Sequence, residues 1–97
     1  MAVHKSDAAE ADLDHIWLES ATEYGVAHAE RVTQRFETLF ELLDEFPGIG
    51  LSYPGVYDDV LYFPVRNYPF LVFFTVIPEG IRIVRIFPDK VRVIDHI

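Results

Sequence analysis

The side chains that could do chemistry in this sequence are mainly cations near its C-terminal end. They are Arg66, Arg82, Arg85, Lys90 and Arg92. Guanidinium and ammonium groups stabilise phosphate or carboxylate charge, so they suit either catalysis at a phosphate or contact with an acidic partner. Arg82 and Arg85 stand three residues apart in an apolar run, and because side chains alternate along a strand we expect them on opposite faces of a sheet.

Other kinds of catalytic or metal site find little support. The chain has no cysteine, which excludes a disulfide framework and any cysteine nucleophile or metal ligand. Its four histidines show no metal-ligand spacing, and we interpret them as structural or exposed. There is no glycine-rich phosphate loop, nucleophile elbow or pair of acids suited to acid–base catalysis. We therefore expect no metal, no cofactor and no catalytic residue.

The charge is distributed unevenly along the 97 residues. The formal net charge is −8, yet residues 1–59 carry thirteen acids and three bases, whereas residues 60–97 carry three acids and five bases. An acidic chain gains no general attraction to a phosphate backbone, so we expect no direct binding of nucleic acid. No apolar run has the length of a membrane helix, and no signal peptide is evident, which predicts a cytoplasmic protein without a membrane partner.

The cations must be positioned by a β-hairpin that spans residues 67–87. Two apolar runs, rich in β-branched and aromatic residues, flank the turn Pro78-Glu79-Gly80. Proline presets φ and glycine tolerates positive φ, so this spacing predicts a tight turn between two strands. The first run is apolar at almost every position, which predicts a central strand covered on both faces.

Two helices are predicted in the first half of the chain. Ser6 or Asp7 supplies an N-cap, apolar residues recur at helical spacing, and Gly25 ends the first helix. A second helix begins near Val26 and is stopped by the segment Pro47-Gly48. A joint this short makes the helices an antiparallel hairpin. We expect Trp17 to pack in the core between helices and sheet.

These elements define an α+β fold in a single domain over residues 1–97. A short strand at residues 3–5 precedes the helices, a loop covers residues 48–59, and a strand over residues 60–65 precedes the hairpin. The predicted order is β-α-α-β-β-β, with the helical hairpin packed on one face of a small antiparallel sheet.

This order of elements resembles the ParE/RelE superfamily of toxins from type II toxin–antitoxin modules, and ParE more than RelE. The resemblance is carried by the segments Ala9–Trp17, Leu43–Gly50, Phe63–Val65, Tyr68–Phe74 and Gly80–Ile86. It implies a cognate antitoxin as partner and, for ParE-like members, inhibition of DNA gyrase through protein contact. RelE-like members are instead ribosome-dependent mRNA endonucleases that use cations on the central strands and a C-terminal histidine or tyrosine.

The sequence departs from the endonuclease pattern at the positions that matter. The central strand has no cation. On the next strand, Arg85 is followed by Phe87-Pro88, where an endonuclease would need a residue that transfers protons. Three hypotheses remain: a ParE-like toxin acting by protein binding, a RelE-like endonuclease, and a non-toxic binding module. The resemblance makes Arg85 the first candidate for partner contact; its structural alternative is an ion pair with Asp12 or Asp14.

Four further residues are candidates for partner contact. Arg66 lies in the turn before the central strand, and Tyr62 lies on the strand before that turn. Lys90 and Arg92 follow the hairpin. ParE-like members commonly carry a His-Gly-x-Arg-Asp segment after the last core strand; this sequence departs from it, and Arg92 only resembles its arginine. We expect this basic end of the chain to attract acidic residues of the antitoxin.

Overall fold

The computed structural model describes residues 2–53 and 59–89. In this part of the chain two helices pack against a five-stranded sheet with the strand order β1-β5-β4-β3-β2. The helices are α1 (Asp7–Tyr24) and α2 (Val26–Glu45), and a 3-10 turn follows at Pro47–Ile49. The strands are β1 (Ala2–Lys5), β2 (Leu51–Ser52), β3 (Leu61–Pro64), β4 (Phe70–Ile77) and β5 (Gly80–Pro88).

The helical hairpin forms as predicted, and its ends have local causes. The Ser6 hydroxyl caps α1 by accepting a hydrogen bond from the Ala9 amide at 3.0 Å. Gly25 alone separates the helices, with φ of 93°, a conformation that side chains with a Cβ rarely adopt. Its amide donates to the Ala21 carbonyl, and its carbonyl accepts from the Ala29 amide. One residue therefore ends α1, starts α2 and reverses the chain.

The predicted α+β architecture is confirmed. β4 is the middle strand of the sheet, and it forms the expected hairpin with β5 around Pro78 and Glu79. Gly80 closes that turn with φ of 151°. Two features extend the prediction: β1 joins the sheet parallel to β5, and the predicted loop over residues 48–59 contains the 3-10 turn and the two-residue strand β2. The sheet is therefore mixed, with one parallel pair at its edge.

A β-bulge overturns the prediction that Arg82 and Arg85 lie on opposite faces. Thr75 lies opposite Arg82 and Phe73 lies opposite Arg85, so β5 advances three residues while β4 advances two. Val84 is the extra residue. Because Phe73 and Thr75 share one face of β4, both arginines start from the face that points away from the helices. Simple alternation fails here because the register shifts within the strand.

The core lies between the helices and the opposite face of the sheet. It is built by one stripe of α2 together with residues of the central strands, namely Val32, Phe36, Leu39, Phe40, Leu43, Val72, Phe74, Ile81, Ile83 and Ile86. Each large apolar side chain buried in this way contributes about 1.5–3 kcal/mol to folding. Trp17, predicted in this core, is instead 37% exposed, because α1 buries Ala9 and Ile16 and turns Trp17 outward.

Candidate functional site

The edge of β5 beyond the end of β1 is closed by side chains instead of by a strand. β1 pairs with β5 only as far as Ile83. The next edge groups are met by Ser6, whose amide donates to the Ile83 carbonyl at 2.9 Å and whose hydroxyl donates to the Val84 carbonyl at 2.7 Å. The Ile86 amide then donates to Asp12 Oδ2 at 2.9 Å. Ser6, the N-cap of α1, and Asp12, in its second turn, thus satisfy backbone groups that would otherwise be open to pairing with another strand.

Arg85 completes this arrangement through a bidentate salt bridge with Asp12. Arg85 Nε lies 2.9 Å from Asp12 Oδ2, and Nη2 lies 3.1 Å from Oδ1. The side chains are 30% and 17% exposed, so the pair is partly shielded from water. The hydrogen bond to Asp12 raises the pKa of Arg85 above its ordinary value; burial opposes this, and the negative charge of Asp12 adds to the rise. Arg85 therefore stays charged and paired throughout the physiological pH range.

The predicted site residues Arg85 and Tyr62 are connected through a stack of rings on the face away from the helices. The Arg85 guanidinium lies 4.6 Å from the centre of the Phe87 ring. Phe87 meets Phe73 at 5.8 Å between centroids, and Phe73 stacks on Tyr62 at 5.7 Å. Tyr53 packs against Tyr62 at 5.4 Å. The sheet face that holds both candidates is thus an aromatic packing surface, and Arg85 is fixed from two sides.

Of the other predicted contact residues, the structure describes only Arg66. Arg66 is exposed in the turn between β3 and β4. Lys90 and Arg92 lie outside the described residues. The ion pair predicted as the alternative role of Arg85 forms with Asp12, whereas Asp14 is exposed on α1. Within the described part of the chain, no group of histidine, aspartate and glutamate side chains could hold a metal ion.

A groove of about 690 Å³ runs between α1 and the end of β5, starting from the Asp12–Arg85 pair. One wall is the flank of α1, where Glu19 and Glu23 follow Asp12 at helical spacing. Apolar residues of the core, including Ile16, line the groove, and Pro88 and Asp89 lie at the side of β5. The groove was not predicted. Its signal in the sequence is the spacing of three acids by seven and four residues on the helix face that carries Ile16.

Aromatic side chains line the end of the groove near the joint of the helices. His28 contacts Tyr24 at 4.8 Å and Tyr68 at 6.0 Å between ring centroids. His15 lies on the outer wall, with Nε2 2.7 Å from Glu19 Oε2, but both side chains are more than half exposed. The described groove thus combines an apolar lining with a carboxylate wall, which suits an extended or helical segment that carries apolar and basic side chains.

Two comparisons with known proteins cover most of the chain. The family model of the ParE toxin of the type II toxin–antitoxin system, parDE, matches residues 3–91. The solved structure of a chromosomal ParDE TA system from P. aeruginosa is similar with a TM-score of 0.80 and 24% identity, covering 93% of this chain and 97% of that chain. At that identity the likeness shows the fold alone. No curated protein matches the sequence. In the described residues, no helix is long and apolar enough to cross a membrane.

Proposed function

This chain belongs to the ParE toxin family of type II toxin–antitoxin systems, and from that premise we propose that it acts by binding a protein target and is neutralised by a cognate antitoxin. DNA gyrase is the target that we propose. In this view the fold provides surfaces for protein contact, and no bond of a substrate is made or broken.

The observation that carries this proposal is the state of Arg85. Cleavage of RNA without a metal needs a cation free to stabilise charge on the phosphate and a group that transfers protons. Both oxygens of Asp12 hold the Arg85 guanidinium, and Phe87 covers it from the other side. A phosphate would have to displace Asp12, which would also leave the Ile86 amide without its acceptor. The pair is therefore better suited to holding α1 on the sheet than to catalysis.

A surface near the other edge of the sheet, at β2, supports protein contact. We call the exposed apolar residues Leu42, Phe46, Ile49 and Leu51 the apolar rim; they are 41%, 53%, 37% and 46% exposed. The rim runs from the end of α2 to β2, which among the described residues pairs only with β3. An open strand edge beside apolar side chains is a common setting for strand addition or for docking of an amphipathic helix. We propose the rim as the antitoxin contact.

The test is binding to the product of the neighbouring open reading frame, which toxin–antitoxin modules place beside the toxin. Co-expression, co-purification and a dissociation constant from calorimetry are the measurements. We expect a stable complex. If the two proteins do not bind at micromolar concentration, the proposal of a cognate antitoxin is wrong for this pair.

Charge placed on the apolar rim should weaken that complex. In the double variant Phe46→Glu/Leu51→Glu, two carboxylates would have to be desolvated on binding, and we expect at least about a tenfold rise in the dissociation constant. Val26→Glu is the matched control, because Val26 is 54% exposed at the joint of the helices, away from the rim. Equal affinities for the rim variant and the control would show that the antitoxin binds elsewhere. Thermal unfolding of both variants checks that the fold is retained.

A further inference from the structure

The end of the groove near the joint of the helices combines aromatic rings with a carboxylate. We call Glu23, Tyr24, His28 and Tyr68, which all line the groove, the joint site. The three rings form a continuous row, since His28 contacts Tyr24 at 4.8 Å and Tyr68 at 6.0 Å between centroids. Tyr24 is 68% exposed, and the other two rings are half-buried. A ligand in solution can therefore reach this row from the side of Tyr24.

The opposite end of the same groove shows which chemical group such a combination holds. There the Arg85 guanidinium makes two hydrogen bonds to Asp12 and lies 4.6 Å from the centre of the Phe87 ring. The carboxylate supplies charge and acceptor oxygens, and the negative face of the ring attracts the cation. The joint site offers the same two kinds of group. Glu23 takes part in none of the salt bridges among the described residues, so its carboxylate is not committed to a cation there.

A guanidinium suits the joint site better than an ammonium group. It is planar and weakly hydrated, so it stacks on a ring while its N–H groups donate to a carboxylate in its plane. Glu19, which also lines the groove, adds negative charge beside Glu23. The groove lining next to these groups is apolar, with Ile16 buried and Phe70 half-buried. An arginine with an apolar neighbour in its sequence therefore matches both parts of the lining.

We propose that the joint site binds an arginine side chain of another protein, with the guanidinium on the aromatic row and paired with Glu23, and with an apolar neighbour of that arginine against Ile16 and Phe70. The site is separate from the apolar rim. His28 lies near the start of α2, and Leu42, where the rim begins, is about 21 Å further along the helix. The inference therefore does not depend on the proposed antitoxin contact.

Titration of the isotope-labelled full-length protein with a blocked dipeptide, followed by amide chemical shifts, tests the proposal. The probe is N-acetyl-leucyl-arginine amide. The control is N-acetyl-leucyl-citrulline amide, in which a neutral ureido group of nearly the same shape replaces the guanidinium. We expect saturable shifts of the amides of Glu23, Tyr24 and His28 with a millimolar dissociation constant for the probe. The citrulline peptide should bind at least about fivefold more weakly.

Two variants separate the carboxylate contact from the ring contact. Glu23→Gln removes the charge and Tyr24→Leu removes the ring, and because both side chains are exposed the fold should be retained. Each should raise the dissociation constant of the arginine peptide about two- to fivefold. Glu30→Gln is the matched control, since Glu30 is an exposed acid of α2 outside the groove lining, and it should leave the dissociation constant unchanged.

Three results would overturn the proposal. They are the absence of shifts at the joint site up to the solubility limit of the arginine peptide, equal binding of the citrulline peptide, and an unchanged dissociation constant in either variant. Unchanged amide shifts away from the substituted residue show that each variant is folded. Neither antitoxin nor gyrase takes part in these measurements, so such a failure is distinct from a failure of the proposed function.

Discussion

Replacing Asp12 by alanine is expected to lower the free energy of unfolding by about 3 kcal/mol. The substitution removes both hydrogen bonds to the Arg85 guanidinium and the acceptor of the Ile86 amide. Hydrogen bonds to charged groups are worth about 1.5–3 kcal/mol each, and the partial exposure of the pair reduces their sum. Denaturant unfolding followed by circular dichroism measures the change.

Two control variants show whether the loss of stability in Asp12→Ala comes from the Asp12–Arg85 pair. Asp14→Ala removes an exposed acid from the same helix and should change stability by less than about 0.5 kcal/mol. Arg85→Ala should cost less than Asp12→Ala, because Asp12 would keep its bond to the Ile86 amide. If Asp12→Ala is as mild as Asp14→Ala, the pair does not hold α1 to the sheet. Because the pKa of Arg85 is raised above its ordinary, already strongly basic value, Arg85 stays charged and its contribution to stability should not fall as pH rises from 7 to 9.

Replacing Gly80 by alanine is the second large effect that we expect, about 3 kcal/mol or more. Gly80 has φ of 151°, where a residue with a Cβ is strained. A Cβ atom at this position would also lie 2.0 Å from the Ala2 carbonyl oxygen and 2.7 Å from Asp44 Oδ1. The nearest clash is with backbone, so β1 would have to move away from β5 to relieve it.

Amide hydrogen exchange shows which strand is destabilised in Gly80→Ala, and denaturant unfolding measures the change in unfolding free energy. We expect the amides of β1 to lose protection in Gly80→Ala while those of β4 keep theirs. Gly48→Ala is the control, since a Cβ at Gly48 would meet no atom within 4 Å. Its unfolding free energy should stay the same or rise by up to about 1 kcal/mol. Wild-type protection of β1 in Gly80→Ala would show that the edge strand tolerates the clash.

Much of the fold is predictable because strong local signals agree with the tertiary structure. Gly25 ends one helix, Pro78 and Gly80 frame a turn, and the apolar run between residues 70 and 77 needs cover on both faces. These features give the helical hairpin, the central strand and the order of the elements. The pairing of β1 parallel to β5 is not evident, because four residues carry too little pattern to define a partner.

The site is predictable only in part, for a reason that lies in the bulge at Val84. The resemblance predicts Arg85 as a partner contact, and the acidic first helix offers Asp12 or Asp14 as an ion-pair partner. The structure contains the pair with Asp12. The shared face of Arg82 and Arg85 depends on a register shift that alternation cannot predict. The exposure of Trp17 was missed because its spacing on α1 resembles that of core residues. The groove needs the relative position of α1 and β5, which only the folded chain provides.

A supercoiling assay with purified DNA gyrase tests the central proposal, that this toxin inhibits gyrase by protein contact, most directly. The reaction contains no ribosome and no messenger RNA, so any inhibition must arise without RNA cleavage. We predict that the protein reduces the negative supercoiling of a plasmid in a dose-dependent way and that its antitoxin restores the activity. Full gyrase activity at every protein concentration up to the solubility limit would contradict the account of gyrase as the target.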